Sequence, residues 1–208
     1  MTEELLVDTP QGPARLHTDA AQDPGGLLVL GHSAGGSITA PDLRALATVA
    51  PPGGVTVIRI EQPYLVAGRR SPVPAPQLDE AWVAAVAAAR ERTGSDVPLV
   101  VGGRSSGARV AARTIQLTRA VALLALAFPL VNPRGVSRQP ELDAVGVPVL
   151  ILQGDRDQFG MPAATTLRRV HVLAGADHSL RGRQSEIVTA TLAFLAEVLG
   201  RDTASSSS

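Results

Sequence analysis

Apolar residues in this chain fall mostly into short unbroken runs, separated by stretches where they recur at every third or fourth position. "GLLVLG", "VTVIRIEQP", "PLVVGG", "AVALLALAFP", "VPVLILQG" and "RRVHVLAG" are apolar on both faces, as strands of a helix-covered parallel sheet must be. Ahead of them, "LLVDT" and "ARLHT" flank the turn "PQGP" and predict an opening hairpin. Between the runs, "APDLRALATVA", "APQLDEAWVAAVAAARERTG" and "SGARVAARTIQLTRA" predict helices. In the second, Leu78, Trp82, Val86 and Ala89 share one face, and Gly94 is placed to end it. A last helix, "SEIVTATLAFLAEVLG", carries a stripe through Val188, Leu192, Leu195 and Leu199. Two strands followed by strand–helix alternation predict an α/β architecture with a mostly parallel, doubly wound sheet. Residues 1–200 read as a single domain and the polar "RDTASSSS" (201–208) as a disordered tail.

In such sheets chemistry sits in the loops at the carboxyl ends of the strands. Two of these loops carry the G-x-S-x-G signature of a serine hydrolase: Gly31-His32-Ser33-Ala34-Gly35 and Gly103-Arg104-Ser105-Ser106-Gly107. One active site needs only one nucleophile. A nucleophile elbow requires the helix to start at once, so that its N-terminal N–H groups face the oxyanion. "SGARVAARTI" follows Ser105 and is rich in helix formers, whereas Gly35, Gly36 and Pro41 delay any helix after Ser33. Chain order agrees. An α/β-hydrolase triad runs Ser, then Asp or Glu, then His, with the second oxyanion donor on an earlier strand–loop. "LILQGDRDQFG" supplies the acid and "VHVLAGADHSL" the histidine, both after Ser105. Ser105 is therefore the expected nucleophile, and "GHSAGG" the oxyanion loop.

Composition narrows the mechanisms further. The chain has 208 residues, 45% apolar and 18% charged, with formal net charge +0, so no nucleic-acid or membrane partner is expected. It has no Cys, which removes disulfides, thiolate metal sites and a cysteine nucleophile. All 19 basic residues are Arg, which removes Schiff-base lysines, Walker A loops and Ser-Lys dyads. A nucleotide-dependent oxidoreductase fails as well, since "GHSAGGS" lacks the G-x-G-x-x-G spacing. The acidic start "MTEELLVDTP" has no signal-peptide pattern and points to the cytoplasm.

The combination "HSAG", "QPYLVAGRR", "GGRSSGAR", "GDRD" and "DHS" resembles the KANL3/Tex30-type α/β-hydrolase-like family, related to dienelactone hydrolases, over about residues 25 to 199. This resemblance implies an α/β-hydrolase fold. Ser33 stands where that family has a loop glycine, Ser106 where it has methionine, and Ala108 where it has glycine. The family's G-x-x-D spacing selects Asp157 as the acid, leaving Asp155 as a turn residue. Of four histidines only His178 is placed to serve as base; His32 borders the oxyanion loop, His17 lies in the hairpin, and His171 alternates within a strand.

The oxyanion donors expected are the backbone N–H of Ser106 and one from the "HSAG" loop, Ala34 preferred with Ser33 as the alternative. Arg69, Arg70, Arg104, Arg109 and Arg134 crowd these loops. They could recognise an anionic substrate or pair with rim carboxylates, the latter being preferred. Ser33, Tyr64, Arg70 and Arg104 are candidate substrate contacts. "LVNPRGVSRQPELDAVG" is too short for a lid domain, so an open site is expected. The expected function is cofactor-free and metal-free hydrolysis of a small acyl ester or thioester. The rival is a catalytically weak protein-interaction module.

Overall fold

The computed structural model describes residues 2–94 and 96–200; the polar tail expected over 201–208 lies outside them. Among the described residues eight strands form one sheet: β1 (Glu3–Val7), β2 (Ala14–Asp19), β3 (Gly26–Gly31), β4 (Val55–Glu61), β5 (Leu99–Arg104), β6 (Ala122–Leu126), β7 (Val149–Gly154) and β8 (Arg168–Leu173). Their spatial order is β1-β2-β4-β3-β5-β6-β7-β8. The opening pair is antiparallel, and β2 runs antiparallel to β4; every other neighbour is parallel. The mostly parallel sheet thus matches the expectation from the apolar runs.

The inner strands β3, β5, β6 and β7 bury nearly every residue because helices cover both faces. On one face α3 (Ala75–Thr93) and α4 (Ser106–Arg113) pack over a core built on Trp82, Val29, Val101 and Phe128. On the other, α1 (Pro41–Val49) and α7 (Gln184–Val198) cover Leu28, Leu30, Leu124 and Leu152. α3 buries the predicted face and ends at Gly94, whose φ of 107° suits glycine.

Four details differ from the periodicity. The helix expected over 106–120 breaks at Thr114, whose hydroxyl donates to Val110 O at 2.7 Å, and resumes as α5 (Ile115–Thr118). Two short helices, α2 (Pro63–Val66) and α6 (Gln139–Asp143), lie where no helix was predicted. The buried line of α7 runs through Ile187, Thr191, Phe194 and Leu195, turned one residue from the expected stripe to bring the bulky Phe194 inward. β8 is also only half covered: as the edge strand it exposes His171 and Val172. No described helix is long and apolar enough to cross a membrane.

Candidate active site

Parallel pairing brings the carboxyl ends of β3, β5, β7 and β8 to one rim, with Gly31 of β3 opposite Gly103 of β5. Ser105 follows β5 directly and sits at φ 52°, ψ −109°. A non-glycine residue at positive φ stores about 1–3 kcal/mol of strain and persists only where its surroundings hold it. Here the Ser105 N–H donates to Leu126 O at 2.9 Å, and its carbonyl accepts from Arg109 N at 3.2 Å. The turn closes because three glycines meet. A Cβ on Gly103 would come within 2.5 Å of Gly31 O, and one on Gly107 would overlap Gly31 O. Ser33 has no such geometry: its φ is not positive, and a Cβ on Gly35 would meet nothing within 4 Å.

His178 lies in the loop beyond β8, five residues past the strand end. Its Nε2 is 2.9 Å from Ser105 Oγ and its Nδ1 2.8 Å from Asp157 Oδ2. Asp157 is buried in the loop after β7. Its Oδ2 accepts from Gln153 Nε2 at 2.8 Å and its Oδ1 from Phe159 N at 2.9 Å. A carboxylate that accepts at both oxygens is held in place. The Phe159 ring stands edge-on to the His178 imidazole, centroids 4.6 Å apart. Asp155 faces elsewhere and accepts from Gly175 N at 2.7 Å, tying the β7 and β8 loops together. Asp177 accepts from the Ser179 hydroxyl and N–H, which hold its carboxyl below the usual carboxylate range.

The loop after β3, expected to supply an oxyanion donor, is fastened from behind. His32 Nδ1–H donates to Ser33 O at 2.8 Å, while its Nε2 accepts from Gln62 N at 3.1 Å. That pattern requires the neutral imidazole, and burial pushes its pKa down, outweighing the Ser33 carbonyl. The Tyr64 hydroxyl donates to Ala34 O at 2.6 Å, and burial pushes this phenol up to about 12. Tyr64 therefore braces the loop from the far side, against a separate recess with Gln11 and Gln62.

Two grooves flank the Ser105–His178 pair. One, of about 350 Å³, is bordered by Ser105, Ser106, Ala34 and Phe159, with apolar walls that include Val73 and Leu78. The other, of about 500 Å³, is polar and bordered by Ser33, Arg104, Arg156, Gln158, His178 and Ser179. Ser106 opens α4, so its N–H has no intrahelical acceptor.

The arginine expectation divides. Arg104 borders the polar groove, yet its guanidinium pairs with buried Asp42 and donates to His178 O at 2.9 Å. It is committed to the protein and positions the histidine loop. Arg109 pairs with Glu141. Arg70 is exposed and borders neither groove.

Sequence reasoning missed Asp42, Gln153 and Phe159. Gln153 was findable, because an amide in the all-buried run "VLILQG" needs a partner. Asp42 carried no comparable signal, since an acid in the first turn of a helix is ordinary.

Known structures share this architecture. XC6422 from Xanthomonas campestris, described as an α/β serine hydrolase without a lid, superposes with a TM-score of 0.77 at 18% identity, covering 94% of each chain. Est1E from Butyrivibrio proteoclasticus gives 0.76 at 14% identity over 95% of this chain and 99% of its own. An α/β serine hydrolase homologue from Coxiella burnetii gives 0.72 at 21% identity over 98% and 99%. At these identities the likeness is one of fold. Among curated proteins none matches the sequence. The alpha/beta hydrolase domain family matches residues 24–199, most of the described chain, and the protein belongs to that family.

Proposed function

We propose that the protein is a serine hydrolase that cleaves a small carboxylic ester or thioester through an acyl-enzyme on Ser105. The observation that carries this reading is the unbroken chain Ser105 Oγ, His178, Asp157 at 2.9 and 2.8 Å, beside a groove that Ser106 and Ala34 also border. Asp157 accepts from Nδ1–H, which leaves the Nε2 lone pair aimed at the serine hydroxyl. As Ser105 Oγ bonds to the acyl carbon, its proton passes to Nε2 and the carbonyl π pair moves onto oxygen. The N–H groups of Ser106 and Ala34 receive that oxyanion, each such donor being worth about 3 kcal/mol in the transition state. Collapse breaks the bond to the alcohol or thiol, which leaves with the Nε2 proton. Water then attacks the acyl carbon with its proton going to Nε2, and collapse breaks the bond to Ser105 Oγ, which takes that proton back from Nε2 as the acid is released.

The preference for Ala34 over Ser33 as the second donor rests on their placement. Ala34 borders the groove that holds Ser105 and Ser106, whereas Ser33 borders the polar one. Within the family, the resemblance of the five motifs supports our reading of the chain as a KANL3/Tex30-type member. A fluorophosphonate probe tests the proposal. Labelling is expected on Ser105, abolished in Ser105→Ala and kept in Ser33→Ala. A modified peptide carrying Ser33 instead, or no labelling of the folded protein, would overturn it.

A further inference from the structure

Three arginines reach the groove beside Ser105: Arg109, Arg113 and Arg138. Two of them are neutralised. Glu141 takes both Arg109 Nε (2.9 Å) and Nη2 (2.5 Å) and lies 3.5 Å from Arg113 Nη1. Asp79 takes Arg113 Nε at 2.8 Å and Nη2 at 2.6 Å. Both oxygens of each carboxylate are thereby engaged, and one positive charge is left over. It sits on Arg138.

Arg138 has no carboxylate partner among the described residues. Its Nη1 donates to the carbonyls of Pro129 at 3.1 Å and Val131 at 3.5 Å, while Nε and Nη2 donate to no acceptor among the described residues. Those two carbonyls fix the plane of the guanidinium. Its backbone is held too, the N–H donating to Leu130 O at 2.7 Å beside the bridge between Val131 and Ser137. Burial, and then the positive charge of Arg109, pull the Arg138 guanidinium below its ordinary value, a cost that a bound anion would offset.

The remaining question is which half of the substrate meets this charge. The leaving atom must lie next to His178 Nε2 to collect its proton, so the polar groove on the His178 side suits the alcohol or thiol. The acyl chain then runs the other way, past Phe159 and Leu78 toward Arg138. We infer that the acyl group carries a carboxylate at its far end, as in a half-ester or half-thioester of a dicarboxylic acid, and that Arg138 is the specificity-determining residue that receives it. A monoanion matches the single uncompensated charge, and the planar fork matches a carboxylate. A volume of about 350 Å³ lies at the small end of ligand sites, which suits a short chain. This inference rests on the hydrolase reading above.

The test is a matched pair of substrates, the mono-4-nitrophenyl ester of adipic acid and 4-nitrophenyl hexanoate. They differ only in a terminal carboxylate against a methyl group. With the wild-type protein, kcat/KM is expected to favour the adipate ester by about tenfold or more, the scale of a charge-assisted hydrogen bond. The ratio should shrink as salt is raised, as attraction to a half-exposed charge must. Arg138→Gln should bring the ratio close to one, and Arg138→Lys should keep part of it. The wild-type ratio and its salt dependence need no variant to fold. If both esters turn over equally, or if Arg138→Gln folds and keeps the full preference, the subsite is overturned while the hydrolase reading stands. If neither ester turns over and fluorophosphonate labels nothing, the hydrolase reading falls and takes the subsite with it.

Discussion

Gly31 and Gly107 pack backbone against backbone: a Cβ on Gly31 would lie 3.1 Å from Gly107 Cα, and one on Gly107 would overlap Gly31 O and C. This contact joins the two G-x-S-x-G motifs. The first glycine of the early motif clears the space in which the elbow at Ser105 turns. The repeated motif is thus one packing solution seen from both sides.

Gly107→Ala is expected to destabilise the fold by about 2 kcal/mol or more, since backbone must move to admit the methyl. Gly35→Ala, at a position with open space and ordinary φ, should lose nothing and could gain up to about 1 kcal/mol. Urea titration of the two variants decides it. Equal midpoints would refute the packing argument.

Asp157→Asn should lower kcat on an activated ester by roughly 10⁴, because an amide facing Nδ1 favours the wrong tautomer and lacks the compensating charge. Asp155→Asn should cost less than about tenfold, since its amide oxygen can still accept from Gly175 N. Steady-state kinetics with circular dichroism as a fold check would separate them. A crippling Asp155→Asn beside a mild Asp157→Asn would reverse the acid assignment.

Asp42 is 2% exposed and supplies the counter-charge for Arg104, which in turn holds the His178 carbonyl. Asp42→Ala leaves a nearly buried guanidinium uncompensated, so a loss of about 3 kcal/mol in unfolding free energy is expected. Loosening the histidine loop should also reduce kcat by about ten- to a hundredfold with a smaller change in KM. Unchanged kcat in a folded Asp42→Ala would show that the clamp serves stability alone.

His32 is buried as the neutral form, so its folded pKa lies below the unfolded value of about 6.5. Between those two values the unfolded chain binds more protons than the folded one. Stability from this group is therefore complete above pH of about 6.5 and falls as the solution is acidified below it. His32→Asn cannot titrate there. The melting temperature of this variant should fall less steeply between pH of about 6.5 and 5 than that of the wild type. Parallel slopes would remove His32 from the acid limb.

The order of strands and helices was legible because each apolar run is bounded by residues that end it, glycine, proline or a charged pair. The tight strand-to-helix turn at Ser105 rather than at Ser33 was legible for a local reason as well: a helix follows one serine at once and cannot follow the other. The family resemblance, through its G-x-x-D spacing, singled out Asp157, which the structure places 2.8 Å from His178 Nδ1. What the chain could not display were pairings between distant positions. Arg104 and Asp42 meet across 62 residues because β5 ends and α1 begins at the same rim. Five arginines were visible around the loops, yet Arg138 was not among them, and only packing shows which guanidiniums already hold a carboxylate. Hydrophobic periodicity acts over a few residues and so reads directly from sequence. Charge compensation depends on which loops the sheet brings together, and that is decided when the tertiary structure closes.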